Sequence, residues 1–129
     1  MPTEFKIIVG SYARNILHIA ELLAECGVNL TTVSTERLGD DVCVRLLTSD
    51  NEACTHCLMK ADLEYDARQV IIVEMEDRPG QWTEIAKRLV DAGLEIEASY
   101  LLSRDGKRMR FVFAVDDPKK GEQVLREVI

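Results

Sequence analysis

The sequence has 129 residues, of which 47% are hydrophobic and 30% are charged. These proportions are typical of a globular protein, and the length is sufficient to bury a core without disulfide bonds. The formal net charge of −7 argues against a broad nucleic-acid-binding surface, because such a surface needs clustered lysine and arginine.

Hydrophobic periodicity in the first half of the chain predicts the order strand, helix, strand, strand, helix. Gly27 follows the first helix at the position where a left-handed helix end favours glycine. Asp50 or Asn51 can cap the second helix. The predicted elements are a strand over 4–10, a helix over 13–26, a strand over 28–38, a turn over 39–41, a strand over 42–46, a helix to about 61 and room for a closing strand within 62–69.

The second half predicts the same order. Pro79 is expected in the first turn of its first helix, where the missing N–H costs nothing, and Gly93 closes that helix. The predicted elements are a strand over 70–75, a helix between Pro79 and Gly93, a strand over 95–103, a turn over 104–107, a strand over 109–115 and a helix from Asp117-Pro118 to the end. The basic run 104–110 (R-D-G-K-R-M-R) is expected to be a solvated hairpin tip rather than a nucleic-acid contact.

The two halves form an internal repeat. A shift of 66 residues places Ile19 on Ile85 and Gly27 on Gly93, and after the hairpin a shift of 67 places Leu46 on Phe113. The repeated unit is a split βαβ, ferredoxin-like arrangement, with both helices on one face of an antiparallel sheet. We therefore predict an α+β fold of two modules, residues 1–68 and 69–129, the second lacking a last strand.

The second module carries Val73-Glu74-Met75-Glu76-Asp77-Arg78-Pro79-Gly80-Gln81-Trp82, then Ile85-Ala86 and Leu89, then Ala92-Gly93-Leu94-Glu95-Ile96. This series resembles the ACT domain family, whose pattern is an apolar strand, D/N-x-P-G, a helix and G-[IV]-N-[IV] at the entry to the next strand. The first module resembles the family in its architecture and in Gly27-Val28-Asn29-Leu30, but not in the loop before its first helix.

The resemblance implies a fold of two ferredoxin-like βαββαβ ACT modules in tandem and a regulatory role in binding amino acids or similar small effectors. It further implies that modules pair side by side through their second strands and first helices. The ligand then lies at that junction, between the loop before the first helix of one module and the Asn at the entry to the second strand of its neighbour.

The loop before the helix of the second module also suits an amino acid on physical grounds. The first N–H groups of a helix have no backbone partner and favour a carboxylate, while Asp77 suits an ammonium group. The alternative to ligand binding is a purely structural role, in which Asp77 is an N-cap and Pro79-Gly80 is a simple turn.

The two modules are degenerate in complementary ways. The second keeps the loop but has Glu95 in place of the family's Asn, and the first keeps Asn29 but has a different loop. We therefore expect one competent site per pair of modules. Its predicted residues are Asp77, Arg78, Pro79, Gly80, Gln81, Trp82, Asn29 and Leu30. A weaker or altered site would combine Ser11, Tyr12, Arg14, Asn15, Glu95 and Ile96.

The four cysteines suggest no catalytic role. No signal peptide or membrane span is evident, so we expect a cytoplasmic protein with free thiols. Cys54-Thr55-His56-Cys57 looks like half of a zinc site or a redox pair, but a second pair is lacking. Because the repeat places Cys54 on Gly121 and Cys57 on Val124, we expect buried structural cysteines.

The sequence therefore predicts a non-enzymatic sensor of a small molecule, with no cofactor and no metal. No G-x-S-x-G, P-loop or H-E-x-x-H motif is present. We expect a homodimer that passes its signal to a separate enzyme or regulator, without binding nucleic acid or membrane. The alternative is an ACT module that has lost its ligand and serves only interaction and oligomerisation.

Overall fold

The structure, a computed structural model, describes residues 1–126. Its backbone divides into two compact units. One unit is Thr3–Arg68, and the other is Gln69–Ile129 together with Met1–Pro2. We refer to them as the first and second modules. No helix among the described residues is long and apolar enough to cross a membrane.

The first module has the order β-α-β-β-α-β. Its elements are β1 (Thr3–Gly10), α1 (Ala13–Glu25), β2 (Leu30–Leu38), β3 (Asp41–Thr48), α2 (Asn51–Lys60) and β4 (Asp66–Gln69). The sheet order is β2-β3-β1-β4, with β3 antiparallel to both β1 and β2. Alternate strand residues such as Ile7 and Leu46 pack with Leu23 of α1 and Leu58 of α2, all of them fully buried. Both helices therefore cover one face of the sheet.

The second module repeats this arrangement without the last strand among the described residues. Its elements are β5 (Ile71–Glu76), α3 (Gln81–Asp91), β6 (Ile96–Asp105), β7 (Arg108–Val115) and α4 (Pro118–Leu125). The sheet order is β5-β7-β6, and its core joins Val73, Leu89, Phe113 and Leu125. The predicted tandem of ferredoxin-like units, including the closing strand of the first, is confirmed. The predicted end of the last helix, residues 127–129, lies outside the described residues.

Equivalent backbone hydrogen bonds show that the repeat is structural. Ser11 N donates to Asp40 O at 3.0 Å in the first module, and Asp77 N donates to Lys107 O at 2.7 Å in the second. These bonds tie the loop before the first helix to the hairpin of the same module. The glycines that end α1 and α3, Gly27 and Gly93, both adopt positive φ, as their position predicted.

A β-bulge explains why two different shifts relate the modules. Val33 lies opposite Leu46 in the first module, and Ser99 lies opposite Phe113 in the second. The register of β6 then slips between Leu101 and Ser103, with no counterpart at that point in β2. The additional residue of the second module is therefore accommodated within β6, ahead of the hairpin beyond which the sequence showed the shift of 67.

Glu4 forms a buried ion cluster that the sequence did not predict. Its carboxylate is fully buried, and Oε1 accepts from Arg45 Nη1 at 2.9 Å and from Arg68 Nε at 3.4 Å. A carboxylate without such partners would be costly to bury. The two arginines come from β3 and β4, so the cluster links both neighbours of β1 in the first module.

Candidate functional site

The loop before α3 is shaped by Pro79 and Gly80. Gln81 N donates to Arg78 O at 3.3 Å, which closes a four-residue turn. Gly80 has φ 85° and ψ −11°, the conformation of the third position in a type II turn, and proline is favoured at the second position. A residue with a side chain would be strained at this φ, so glycine is favoured at position 80. The turn formed by Pro79 and Gly80 leads directly into α3.

The start of α3 is not capped by a side chain. Gly80 is its N-cap, and the helix begins at Gln81. The expectation that Pro79 lies in the first turn is therefore wrong, because Pro79 belongs to the preceding turn. Of the alternative stated above, the N-cap role of Asp77 is wrong because Gly80 is the N-cap, whereas the turn at Pro79-Gly80 is confirmed. The second helix of each module is different. Asp50 accepts from Ala53 N at 3.0 Å, and Asp117 accepts from Lys120 N at 3.1 Å.

Asp77 has a partner that the sequence analysis missed. Arg104 Nε lies 3.1 Å from Asp77 Oδ2, with both side chains substantially exposed. The bulge in β6 places Arg104 opposite Met109, which is a core residue on the face of the sheet that the helices cover. Arg104 therefore lies on that same face of the sheet, where it can contact the loop before α3. The pattern of charges in 104–110 indicated only a solvated hairpin tip. The contact with Asp77 was missed because the bulge that orients Arg104 leaves no clear mark in the sequence.

Arg78 bridges the other two acidic side chains of the loop. Arg78 Nε contacts Glu76 Oε2 at 3.0 Å, and Arg78 Nη2 lies 3.7 Å from Glu84 Oε2. Glu84 is in the first turn of α3, and Gln81 Nε2 also donates to it at 3.5 Å. Arg104 is therefore the cation that accompanies Asp77, while Arg78 holds the acidic residues on either side of the turn.

Trp82 packs against the sheet of its own module. Its indole stacks on Phe113 with ring centroids 5.8 Å apart, and its Nε1–H donates to Ser99 Oγ at 3.1 Å. The side chain is 38% exposed, so one edge remains in contact with solvent beside the loop. The adjacent Gln81 is buried. Trp82, predicted as a site residue, therefore takes part in the packing of its module and also lies at the surface beside the loop.

The equivalent loop of the first module differs in its contacts. Tyr12 is the N-cap of α1 and provides no side-chain cap, as at α3. Asn15 Nδ2 donates to Gly10 O at 2.8 Å, so this amide stabilises the end of β1. Ser11, Tyr12 and Arg14 are exposed. The first module thus has an uncapped helix start, but without a carboxylate in the position of Asp77.

Within each module, the loop before the first helix and the entry to the second strand lie at opposite ends of the sheet. Glu76, at the end of β5, pairs with Arg108, whereas Ile96, at the start of β6, pairs with Val115 at the other end of β7. In the first module, Gly10 pairs with Asp41 and Leu30 with Thr48. Asn29 and Glu95 are exposed beside these strand starts. The structure therefore brings 77–82 together, but not with Glu95 or Ile96.

The structure confirms one part of the cysteine prediction and corrects another. Cys26 and Cys57 form a disulfide that joins the end of α1 to α2, so the expectation of four free thiols is wrong for this pair. The sequence could not reveal the pairing, because it depends on where the two helices pack. Cys43 and Cys54 are free and buried. Burial raises the pKa of the Cys54 thiol to about 11, which disfavours the reactive thiolate.

Among residues 1–126, no three His, Cys, Asp or Glu side chains cluster in a way that could hold a metal ion. Gly121, on which the repeat places Cys54, has little room for a side chain, since a Cβ there would lie 2.6 Å from Ile71 Cδ1. Cys54 and Cys57 are both buried, as the repeat predicted.

Comparison with known proteins identifies the fold. No family model matches the sequence, and no curated protein matches it. A solved structure from Bacteroides thetaiotaomicron superposes with a TM-score of 0.86 at 19% identity, covering 98% of this chain and 87% of that one. The regulatory subunit of aspartate kinase from Thermus thermophilus gives 0.69 at 11% identity, covering 98% and 91%. At such identities the likeness shows the fold alone, and that fold is the repeated ACT-like ferredoxin arrangement.

Proposed function

We propose that this chain is a non-catalytic regulatory protein that binds a small effector, an amino acid, at the loop preceding α3. The observation that supports this most is that the Asp77 carboxylate stands three positions before Gly80, the N-cap of a helix whose start has no side-chain cap. The fold shared with a regulatory subunit of aspartate kinase is compatible with such a role. Fold likeness alone would not justify it, because one fold serves many functions.

The charges of the loop match a zwitterion. Gln81 N–H already donates to Arg78 O, so the carboxylate of an amino acid would accept from the N–H groups of Trp82 and Thr83 in the first turn of α3, where the helix dipole favours negative charge. Its ammonium group would contact Asp77. Arg104 contacts Oδ2 of that carboxylate, which leaves Oδ1 for the ligand. Arg104 also adds a positive charge near the bound carboxylate, and the Pro79-Gly80 turn holds the helix start in place.

A paired module would complete the site. We propose that Asn29 and Leu30 of a first module provide the remaining contacts, and that Gln81 and Trp82 line the ligand beside Arg78. The weaker site of Ser11, Tyr12, Arg14, Asn15, Glu95 and Ile96 would be altered or inactive. Its helix start lacks a nearby carboxylate, and the amide of Asn15 is already bonded to Gly10 O.

The proposal includes an assembly. Pairing of modules through their second strands and first helices would produce a homodimer, and the effector signal would pass to a separate enzyme or regulator. Sedimentation velocity with and without the effector measures the assembly. A strictly monomeric protein in both conditions would contradict this part of the proposal.

A thermal-shift screen of the twenty amino acids, followed by titration calorimetry, tests the binding. We expect one site per chain and a loss of affinity of at least about tenfold in Asp77→Asn. Asp105→Asn is the charge-matched control, because Asp105 is an exposed carboxylate at the end of β6 and is expected to leave binding unchanged. Two equal sites, or binding that persists in both Asp77→Ala and Asn29→Ala, would contradict the assignment. No binding by any amino acid would favour the alternative of an interaction module.

A further inference from the structure

The first module contains an apolar cleft between its first helix and its second strand. The cleft has a volume of about 110 Å³ and lies wholly within this module. Its walls include Ile16 and Leu23 from α1, Leu30 and Val33 from β2, and Leu46 from β3. Among the described residues that line the cleft, Thr35 provides the one hydroxyl group, and no side chain is charged.

The second module fills the corresponding space with its own side chain. The repeat places Ile16 on Trp82, Val33 on Ser99 and Leu46 on Phe113, and the strand pairs Val33–Leu46 and Ser99–Phe113 have the same register. The Trp82 indole stacks on Phe113 and donates to Ser99 across this space. In the first module, Ile16 is too short to do the same, and Val33 offers no acceptor.

The size and lining of the cleft define what can occupy it. An apolar cavity of about 150 Å³ remains dry and accepts a molecule as large as benzene. A cleft of 110 Å³ therefore suits a smaller apolar group, such as a branched aliphatic side chain. Leu30, which lines the cleft, directly follows the exposed Asn29. An amino acid that contacts Asn29 with its polar groups would have its side chain beside the cleft.

We infer that this cleft is the subsite for the side chain of the effector, and that the effector is an amino acid with a branched aliphatic side chain. The inference rests on the proposed function, namely that the chain binds an amino acid. It adds the chemical class of the ligand and the residues that select it. The apolar group that Trp82 supplies in the second module is supplied by the ligand in the first.

The two modules provide the variants for the test. Ile16→Trp/Val33→Ser gives the first module the tryptophan and serine of the second, which closes the cleft. Leu17→Trp is the matched control, since Leu17 is on the same helix, is 56% exposed and does not line the cleft. Ala20→Leu, which adds an isopropyl group from a lining position, is the second blocking variant should the double variant fail to fold.

Titration calorimetry on the full chain uses leucine, isoleucine, alanine and serine as ligands. We expect leucine or isoleucine to bind at least about tenfold more tightly than alanine or serine. Closing the cleft should remove most of this preference, whereas Leu17→Trp should retain it. Circular dichroism and urea unfolding establish that each variant is folded.

The possible results separate the inference from the proposed function. If amino acids bind but leucine and alanine bind equally, or if closing the cleft leaves leucine binding intact, the inference fails and the proposed function stands. If no amino acid binds, both fail. If leucine does not bind and closing the cleft dissociates a dimer, a side chain of a second copy occupies the cleft, and this result also overturns the inference.

Discussion

The indole N–H of Trp82 donates to Ser99 Oγ, which joins the first turn of α3 to the middle of β6 at a distance of 3.1 Å. The same indole stacks on Phe113 of β7. One side chain therefore links a helix to two strands of its sheet. Because Trp82 also lies next to the Asp77 loop, its environment should report both on the packing of α3 and on events at the loop.

Ser99→Ala should loosen the orientation of Trp82. Loss of the hydrogen bond should lower the free energy of unfolding by about 1 kcal/mol and weaken the near-ultraviolet circular dichroism of the indole. Ser103→Ala is the matched control, because Ser103 accepts from Arg110 at 2.9 Å rather than from Trp82. An unchanged tryptophan spectrum in Ser99→Ala would show that the stacking on Phe113 alone fixes the ring.

The aspartate caps of α2 and α4 should each contribute measurably to stability. Asp50→Ala and Asp117→Ala remove acceptors for Ala53 N and Lys120 N, and each should lower the free energy of unfolding by about 1 kcal/mol. Tyr12→Ala changes an N-cap residue that makes no such bond, so we expect a much smaller effect. Urea unfolding of the three variants gives the comparison.

Gly121→Ala should destabilise the protein, although alanine is the better helix former. Helix propensity alone predicts a gain of up to about 1 kcal/mol. The new Cβ would meet Ile71 Cδ1 at 2.6 Å and Val115 Cγ2 at 3.1 Å, however, and overpacking of this kind costs about 1–3 kcal/mol. We therefore expect a net loss in urea unfolding. A more stable variant would show that Ile71 can move aside at little cost.

The buried Cys54 thiol should make stability depend on alkaline pH. Burial raises its pKa from 9.0 to about 11, so the folded state favours the protonated thiol. Its contribution is fully present below pH 9 and is lost as pH rises from about 9 to 11, because the unfolded chain ionises first. Cys54→Ala should therefore lose less stability than the parent protein over this interval. Parallel pH dependences in urea unfolding at pH 8, 9.5 and 10.5 would contradict this.

The disulfide between Cys26 and Cys57 should stabilise the first module by restricting its unfolded chain. The two residues are separated by 31 positions, and closure of such a loop contributes about 3–4 kcal/mol in the chain-entropy model. Reduction with dithiothreitol should lower the urea midpoint, and Cys26→Ser/Cys57→Ser should show no further change on reduction. Mass spectrometry after thiol alkylation should find only Cys43 and Cys54 modified in the unfolded, unreduced protein.

The parts of the fold that depend on local chemistry were predictable from sequence. The Asp117 cap and the positive φ of Gly27 and Gly93 each follow from neighbouring residues. Element order then followed from the repeat. The first residue of α3 was misplaced because Pro79 suits both a helix start and a type II turn, and only the φ of Gly80 distinguishes them.

The remaining features depend on distances between segments that are remote in sequence. The Asp77–Arg104 contact, the Cys26–Cys57 disulfide and the burial of Glu4 between two arginines all arise from packing. The cleft in the first module is a further example. Ile16 and Trp82 are both acceptable on an apolar helix face, and periodicity does not distinguish a side chain that fills a space from one that leaves it open.

The bulge in β6 has a consequence for how proteins of this kind are compared. An inserted residue is usually sought in a loop, but here the length difference between the two halves lies inside a strand that keeps its pairing on both sides. An ungapped alignment of the two halves can therefore match equivalent residues either up to Leu101 or from Ser103 onward, but not in both segments. Alignment procedures that penalise gaps within strands would underestimate the symmetry of this chain, and placing the gap at Leu102 should recover it.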